Sequence, residues 1–207
     1  MSRLFAAIYD PFMRKTEQAC LVAWRRELLS GLSGRVLEIG AGTGANVPLY
    51  PQAVTSLVLA EPDPHMLARL RPRAPSHAEV LSATGDSLPF PDASFDAVVS
   101  TLVLCSVPEP SRSLSELHRV LRPGGTFAFL EHVAATDASS RLAWQRRIEP
   151  VWKRIAGNCH LTRPTGETIR DAGFVVQQET RESMRKAMPW FRPSIRGLAR
   201  KPSISSS

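Results

Sequence analysis

The chain of 207 residues, 43% of them hydrophobic, is long enough to bury one substantial core and leaves little room for a second large domain. It contains no run of about 18 apolar residues, and the residues from Met1 to Tyr9 lack the basic, apolar, small order of a secretory leader, so a cytoplasmic location is expected. The net charge of +7 is concentrated: residues 1–140 carry 12 Lys and Arg against 14 Asp and Glu, while residues 141–207 carry 14 against 5.

That basic last third reads first as a solvated face of high Arg content, because no aromatic interleaving or RNA-binding signature accompanies the charge; the alternatives are attraction of an acidic substrate, of anionic lipid or, more weakly, of nucleic acid. Cysteines at 20, 105 and 159 are odd in number and form no C-x-x-C. Reduced thiols are expected, with neither a disulfide framework nor a metal site.

Residues 2–31 read as helical: Phe5, Ile8 and Tyr9 precede Pro11, then Leu21, Val22, Trp24, Leu28 and Leu29 recur at roughly helical spacing until Ser30-Gly31. Residues 1–33 are expected to pack as lid helices over a ligand cleft, where Tyr9, Phe12 and Trp24 either line the cleft or fill core. Val36 to Asn46 (V-L-E-I-G-A-G-T-G-A-N) follows, an apolar strand turning through Gly40, Gly42 and Gly44 into an expected short helix over residues 45–50. Glycine there permits positive φ and close approach of the backbone to a ligand, and the helix start offers free N–H groups.

Val54 to Ala60 reads as the second strand, with Glu61 at its end, 21 residues after Gly40. That is near the ~20-residue offset at which an acid meets a ribose diol. Pro64 to Leu70 reads as a helix and Ala78 to Ala83 as a third strand. Asp86 then stands where it can accept from an exocyclic amine while Leu88 packs on a base. Ala97 to Leu104 is an apolar run typical of a strand buried on both faces. Glu109 to Leu121 is an amphipathic helix, stopped by Arg122-Pro123-Gly124-Gly125, and Thr126 to Leu130 is a fifth strand closed by Glu131-His132. Residues 138–157 and 165–172 read as helices, Phe174-Val175-Val176 and 194–199 as late strands, and 201–207 as a flexible tail.

Five strands alternating with helices specify a parallel α/β sheet, Rossmann-like and doubly wound, whose ligands sit beyond the carboxyl ends of the strands. Gly40 to Gly44, Glu61, Asp86, Cys105 and His132 all lie at such ends. His132, with a side chain that titrates near neutrality, is the candidate general base, with a hydrogen-bonding role in the loop as the alternative. Cys105 reads either as a small buried residue or as a neighbour of the substrate.

V-L-E-I-G-A-G-T-G, Glu61, G-D-S-L-P-F, S-F-D-A-V-V-S and R-V-L-R-P-G-G together resemble the class I S-adenosylmethionine-dependent methyltransferases over about residues 34–134. T-L-V-L-C-S-V at 101–107, E-H-V-A-A at 131–135 and C-H-L-T-R at 159–163 are similar to the small-thiol methyltransferases of animals and their bacterial relatives. The resemblance implies a mostly parallel seven-stranded sheet with a reversed final hairpin, and a single domain with a cofactor core at 34–134 and substrate-side elements at 135–200. It implies S-adenosyl-L-methionine as cofactor and a small-molecule methyl acceptor, a thiol first, with oxygen, nitrogen or carbon acceptors on a quinone or lipid head group as the alternative. The hydrophobic N-terminal anchor of the animal members is not expected here. By motif match, Glu38, Gly40, Gly42 and Gly44 surround the methionine part, Glu61 the ribose, Asp86 with Ser87 or Leu88 the adenine, and Thr101 and Leu102 border the methyl. From the cap side, Tyr9, Asn158, His160 and Arg163 are candidates to contact the acceptor, with the fixing of a loop as the alternative for Asn158, His160 and Arg163.

Overall fold

Alternation along β1 (Gly34–Ile39) sorts its apolar side chains into two layers: Val36 enters one buried cluster, Leu37 and Ile39 the other. The same two-residue period divides Leu57 from Val58 in β2 (Val54–Ala60) and Val98 from Val99 in β4 (Phe95–Thr101). Strands covered on both faces read as continuous apolar runs, which is why these three were recognisable.

A computed structural model describes residues 3–136 and 140–203. With β3 (Ala78–Leu81), β5 (Leu121–His132), β6 (Val175–Ser183) and β7 (Pro193–Arg200), the strands form one sheet in the order β3-β2-β1-β4-β5-β7-β6. The first five pair in parallel, and β7 runs antiparallel to both β5 and β6. The chain leaves β1 toward β2 on one side and returns to β4 on the other. A crevice therefore opens beyond the carboxyl end of β1, where ligands of such sheets bind.

Helices α1 (Arg3–Thr16) and α2 (Val22–Leu29), joined by a π-turn over Glu17–Leu21, precede the sheet. α3 (Pro64–Leu70) is capped by Asp63, whose side chain accepts from the His65 and Met66 N–H groups. α4 (Pro110–Val120), α5 (Ser140–Ile155) and α6 (Thr165–Asp171) complete the set, and Gly173, at φ +89°, ends the turn after α6. The expected starts of the first helix at residue 2 and of α5 at 138, the Phe5 side chain, and tail residues 204–207 lie outside the described parts.

Three of the boundaries that differ from expectation have a plain local cause. The helix awaited at 45–50 is only a single 3₁₀ turn, Val47–Leu49, because Pro48 and Pro51 each remove an N–H donor. β4 stops at Thr101, before Leu104, because Leu102 takes φ +60°. β5 begins at Leu121, earlier than Thr126, since Leu121 pairs with Phe95 ahead of the irregular Pro-Gly-Gly step.

Candidate active site

The ends of four strands that neighbour one another in the sheet supply the walls of a cavity of about 510 Å³. In spatial order they contribute Thr84, Gly85 and Asp86 after β3, Glu61 to Pro64 after β2, Gly40 and Gly42 after β1, and Thr101 to Val103 after β4. Gly40, Gly42 and Gly44 hold φ values of +56°, +57° and +89°. Of these, Gly42 faces open space: a Cβ there would have only the Gly40 carbonyl oxygen nearby, at 3.9 Å. A Cβ on Gly40 would instead strike Val103 Cγ2 at 2.6 Å.

Glu61 is buried, and its two oxygens are split: Oε2 accepts from Gly42 N–H and Oε1 from Asp63 N–H, each at 2.8 Å. Burial raises its carboxyl above the ordinary range, and those two donors work against the rise. Behind the glycine loop lies a second buried group. Glu38 accepts from Asn46 Nδ2 at 2.8 Å and from the Tyr50 hydroxyl at 2.7 Å, and burial pushes its carboxyl up to about 7. Arg25 of α2 donates Nη1 to Thr101 Oγ1 at 2.7 Å and to Asn46 Oδ1 at 2.9 Å, and Nη2 to Glu17 Oε1 at 3.2 Å. Helix α2, the glycine loop and the end of β4 are thus tied by one buried guanidinium. Sequence reasoning missed Arg25, Asn46 and Tyr50, because nothing local in the sequence joins position 25 to position 101.

A second cavity, about 260 Å³, abuts the first and is lined by Ile8, Phe12, Met13, Cys105, Trp152, Ile155, Cys159, Met188 and Phe191. Tyr9, Leu102, Ser106 and Ala156 border both cavities and so form the partition between them. No Asp, Glu, Lys, Arg or His side chain stands among the residues lining the second cavity. Desolvation raises the Tyr9 phenol above its ordinary range, so it stays neutral.

The expected cofactor residues thus divide. Gly40, Gly42, Glu61, Asp86, Thr101 and Leu102 line the larger cavity, and Glu38 and Gly44 sit behind it. Leu88 turns away into the core beside Ile39 and Phe95, and Ser87 is exposed with its N–H on Thr84 O; Met66, Val107 and Ser113 line the wall in their place. Phe12 lines the smaller cavity, whereas Trp24 belongs to the core, under the Arg196 guanidinium.

His132 requires correction. Expected to point into the cleft, its ring lies behind Phe191, stacked on it at 4.7 Å, with Nε2 3.4 Å from Trp190 O and Nδ1 without a partner among the described residues. Burial lowers its pKa to about 4, and it lines neither cavity. Asn158, His160 and Arg163 also stand back from both. They brace the loop after β4: Asn158 Nδ2 donates to Ser106 O at 2.9 Å, the His160 N–H to Cys105 O at 2.8 Å, and the Arg163 guanidinium to the Leu104 carbonyl. Buried Glu131, not singled out from sequence, grips the same loop through Ser100 Oγ and the Val103 and Cys105 N–H groups. Of the four residues proposed from the cap side and Cys105, only Tyr9 and Cys105 reach a cavity.

Residues 37–129 match the family described as a methyltransferase domain. The thiol S-methyltransferase TMT1B of Rattus norvegicus is 41% identical over 180 residues, spanning 83% of this chain and 73% of that protein. Human TMT1A, also a thiol S-methyltransferase, is 36% identical over 191 residues, spanning 84% and 77%. A solved structure from Thermotoga maritima, described as an S-adenosylmethionine-dependent methyltransferase and possible histamine N-methyltransferase, shares the fold with a TM-score of 0.69 at 23% identity, covering 96% of this chain and 97% of that one. Together with the open glycine cradle and the acid at the end of β2, these likenesses settle the lineage: the chain belongs to the class I S-adenosylmethionine-dependent methyltransferases, alongside the small-thiol S-methyltransferases.

Proposed function

We propose that the protein moves a methyl group from S-adenosylmethionine to the sulfur of a small, uncharged thiol. The observation that carries this is the shared wall: a larger cavity with Glu61, Asp63 and Asp86 in its lining and a smaller apolar one meet at Tyr9, Leu102, Ser106 and Ala156. The spatial order of the first three strand ends follows adenine, ribose and methionine along the cofactor, whose methyl branches from the sulfonium between ribose and methionine. Asp86 would hold the adenine, Glu61 the ribose diol, the Gly40–Gly42 cradle the methionine part, and Thr101 with Leu102 the region of the methyl. The residues fit that group, because the Glu61 oxygens keep lone pairs for a diol and Gly42 leaves the space a side chain would fill. When bound, S-adenosylmethionine supplies an electrophilic methyl on a sulfonium.

The chain's own contribution is alignment and exclusion of water. No carboxylate, histidine or lysine lines the apolar cavity, and a thiol needs little help, since a pKa of about 8.5 leaves a few per cent thiolate at neutral pH. A cavity without cationic groups disfavours a charged thiol such as glutathione, whose carboxylates would be desolvated unpaired. The test is a panel of alkyl and aryl thiols, phenols, amines and glutathione with cofactor and mass detection of product. Methylation of uncharged thiols above all others is expected; no transfer to any thiol would overturn the reading.

A second reading concerns where the acceptor comes from. Ile8, Phe12 and Ile155 at the apolar cavity are exposed, and Trp144 and Val151 continue the stripe along α5, flanked by Arg147 and Arg154. An apolar stripe edged by arginines favours an anionic lipid surface and supports uptake of a membrane-dissolved acceptor.

A further inference from the structure

Cys105 and Cys159 come from separate segments, the loop after β4 and the turn after α5, yet both line the apolar cavity as free thiols. The segments are pinned together by the bond from the His160 N–H to Cys105 O and by Asn158 Nδ2 on Ser106 O. The two thiols interact with each other, which holds the Cys159 thiol below its ordinary range and the Cys105 thiol well above it. The pair shares a proton that leaves Cys159 first. Arg163, behind the loop, interacts electrostatically with both sulfurs. The third cysteine, Cys20, lines neither cavity and packs against Thr16 O and Arg185 O.

A thiol that shares its cavity wall with a second thiol has a resolving partner near at hand, which an isolated buried cysteine lacks. We propose that Cys105 and Cys159 form a dithiol site for small apolar disulfides, the oxidised counterpart of the acceptor class, and that its reaction closes the cavity with an internal disulfide. The inference rests on reading this cavity as the acceptor site. The Cys159 thiolate attacks one sulfur of the disulfide RSSR, whose S–S bond breaks, and one RS⁻ leaves and is protonated. Cys105, giving up its proton, then attacks the Cys159 sulfur of the mixed disulfide and expels the second RS⁻, protonated in turn. Two electrons pass from the protein dithiol to the small disulfide, giving two RSH and one Cys105–Cys159 bond. Methyl transfer then stops until an external dithiol reduces the pair.

The full-length protein is treated with bis(2-hydroxyethyl) disulfide and followed by intact-mass spectrometry and peptide mapping. Wild type is expected to lose the mass of two hydrogens, release two thiol equivalents, yield a Cys105–Cys159 cross-linked peptide and recover with dithiothreitol. Cys20→Ser should behave identically, Cys105→Ser should stop at a stable mixed disulfide on Cys159, and Cys159→Ser should react far more slowly. Wild type that keeps a stable adduct, stays unmodified or cross-links through Cys20 overturns the proposal. Because these masses are read without methyl transfer, they stand apart from the functional reading. In the oxidised protein, transfer to an uncharged thiol is expected to fall at least tenfold. A cross-linked protein with undiminished transfer would overturn the assignment of this cavity to the acceptor and the closure, while leaving the dithiol chemistry in place.

Discussion

Glu61 Oε2 accepts from the Gly42 N–H at 2.8 Å, so the acid ending β2 is bonded directly to the glycine that opens the cradle after β1. One contact thereby orients both this acid and the loop beside it. Glu61→Ala is expected to weaken binding of S-adenosylhomocysteine by about 10- to 100-fold, the scale of losing charge-assisted bonds to a diol. Glu61→Gln, which keeps the shape, should lose less. Titration calorimetry reads both, and unchanged affinity in the alanine variant would remove the ribose assignment.

Gly42 and Gly40 separate function from packing. Gly42→Ala places a methyl in open cavity space and holds φ at +57°, so a stability loss of about 1–2 kcal/mol should accompany a more than tenfold loss of cofactor affinity. Gly40→Ala drives its Cβ to within 2.6 Å of Val103 Cγ2, and its main effect should be a lower melting temperature. Equal cofactor affinity in Gly42→Ala and wild type would show that the loop is no cradle.

These residues were legible from sequence because the information is local. A strand end followed by glycines, or by an acid, keeps its place whichever helices pack around it, and Gly40, Gly42, Glu61, Asp86, Thr101 and Leu102 border the larger cavity as strand-end reasoning expects. Arg25 was not, since its meaning depends on Asn46 and Thr101, which only the tertiary fold brings to it. His132 failed for a related reason. Its place at the end of β5 was foreseeable, but the turn carrying Trp190 and Phe191 decides where its ring points. Leu88 shows the limit of strand-end reasoning: being apolar, it gains more from the core beside Phe95 than from an open cleft.

Arg25 couples the helices ahead of the sheet to the cofactor cavity. Arg25→Met leaves Thr101, Asn46 and Glu17 without their shared donor, and removing one partner from a buried charged network costs on the order of 3 kcal/mol. A depressed melting temperature is expected, together with weaker cofactor binding once Asn46 and Glu38 lose their orientation. A variant that melts and binds as wild type would show the network to be incidental.

His132 makes stability depend on acid. Its folded pKa of about 4 lies below its unfolded value of 6.5, so the unfolded chain binds the extra proton first. Stability from this group is therefore fully present above 6.5 and is lost as pH falls through 4, by up to about 3 kcal/mol. Glu38 and Glu131, each pushed up to about 7, act in the opposite sense, stabilising at low pH and losing that contribution as pH rises past 7. Denaturation of His132→Asn between pH 4 and 6.5 should lack the wild-type decline attributable to histidine. In the methyl-transfer assay the variant should keep the wild-type pH dependence. An inflection that disappears with His132 would return it to a catalytic role.

The stripe on α5 makes a prediction about surfaces. Trp144, Val151 and Ile155 are 57%, 59% and 61% exposed, at positions seven and four residues apart that fall on one side of the helix. Exposed aromatic and aliphatic groups of this size cost little in a monomer yet gain from entering a lipid interface, and neighbouring arginines each add about 1 kcal/mol near anionic headgroups. Sedimentation with vesicles containing phosphatidylserine should therefore capture the protein at low salt, and neutral phosphatidylcholine vesicles should capture it less. Trp144→Ser combined with Val151→Ser should weaken capture by about tenfold or more, consistent with the apolar area withdrawn from the interface. Arg147→Gln with Arg154→Gln should mainly reduce the preference for anionic lipid and the sensitivity to salt. Each pair removes one of the two contributions that membrane attachment requires. Equal capture of wild type and both variants would show that the stripe takes no part in it.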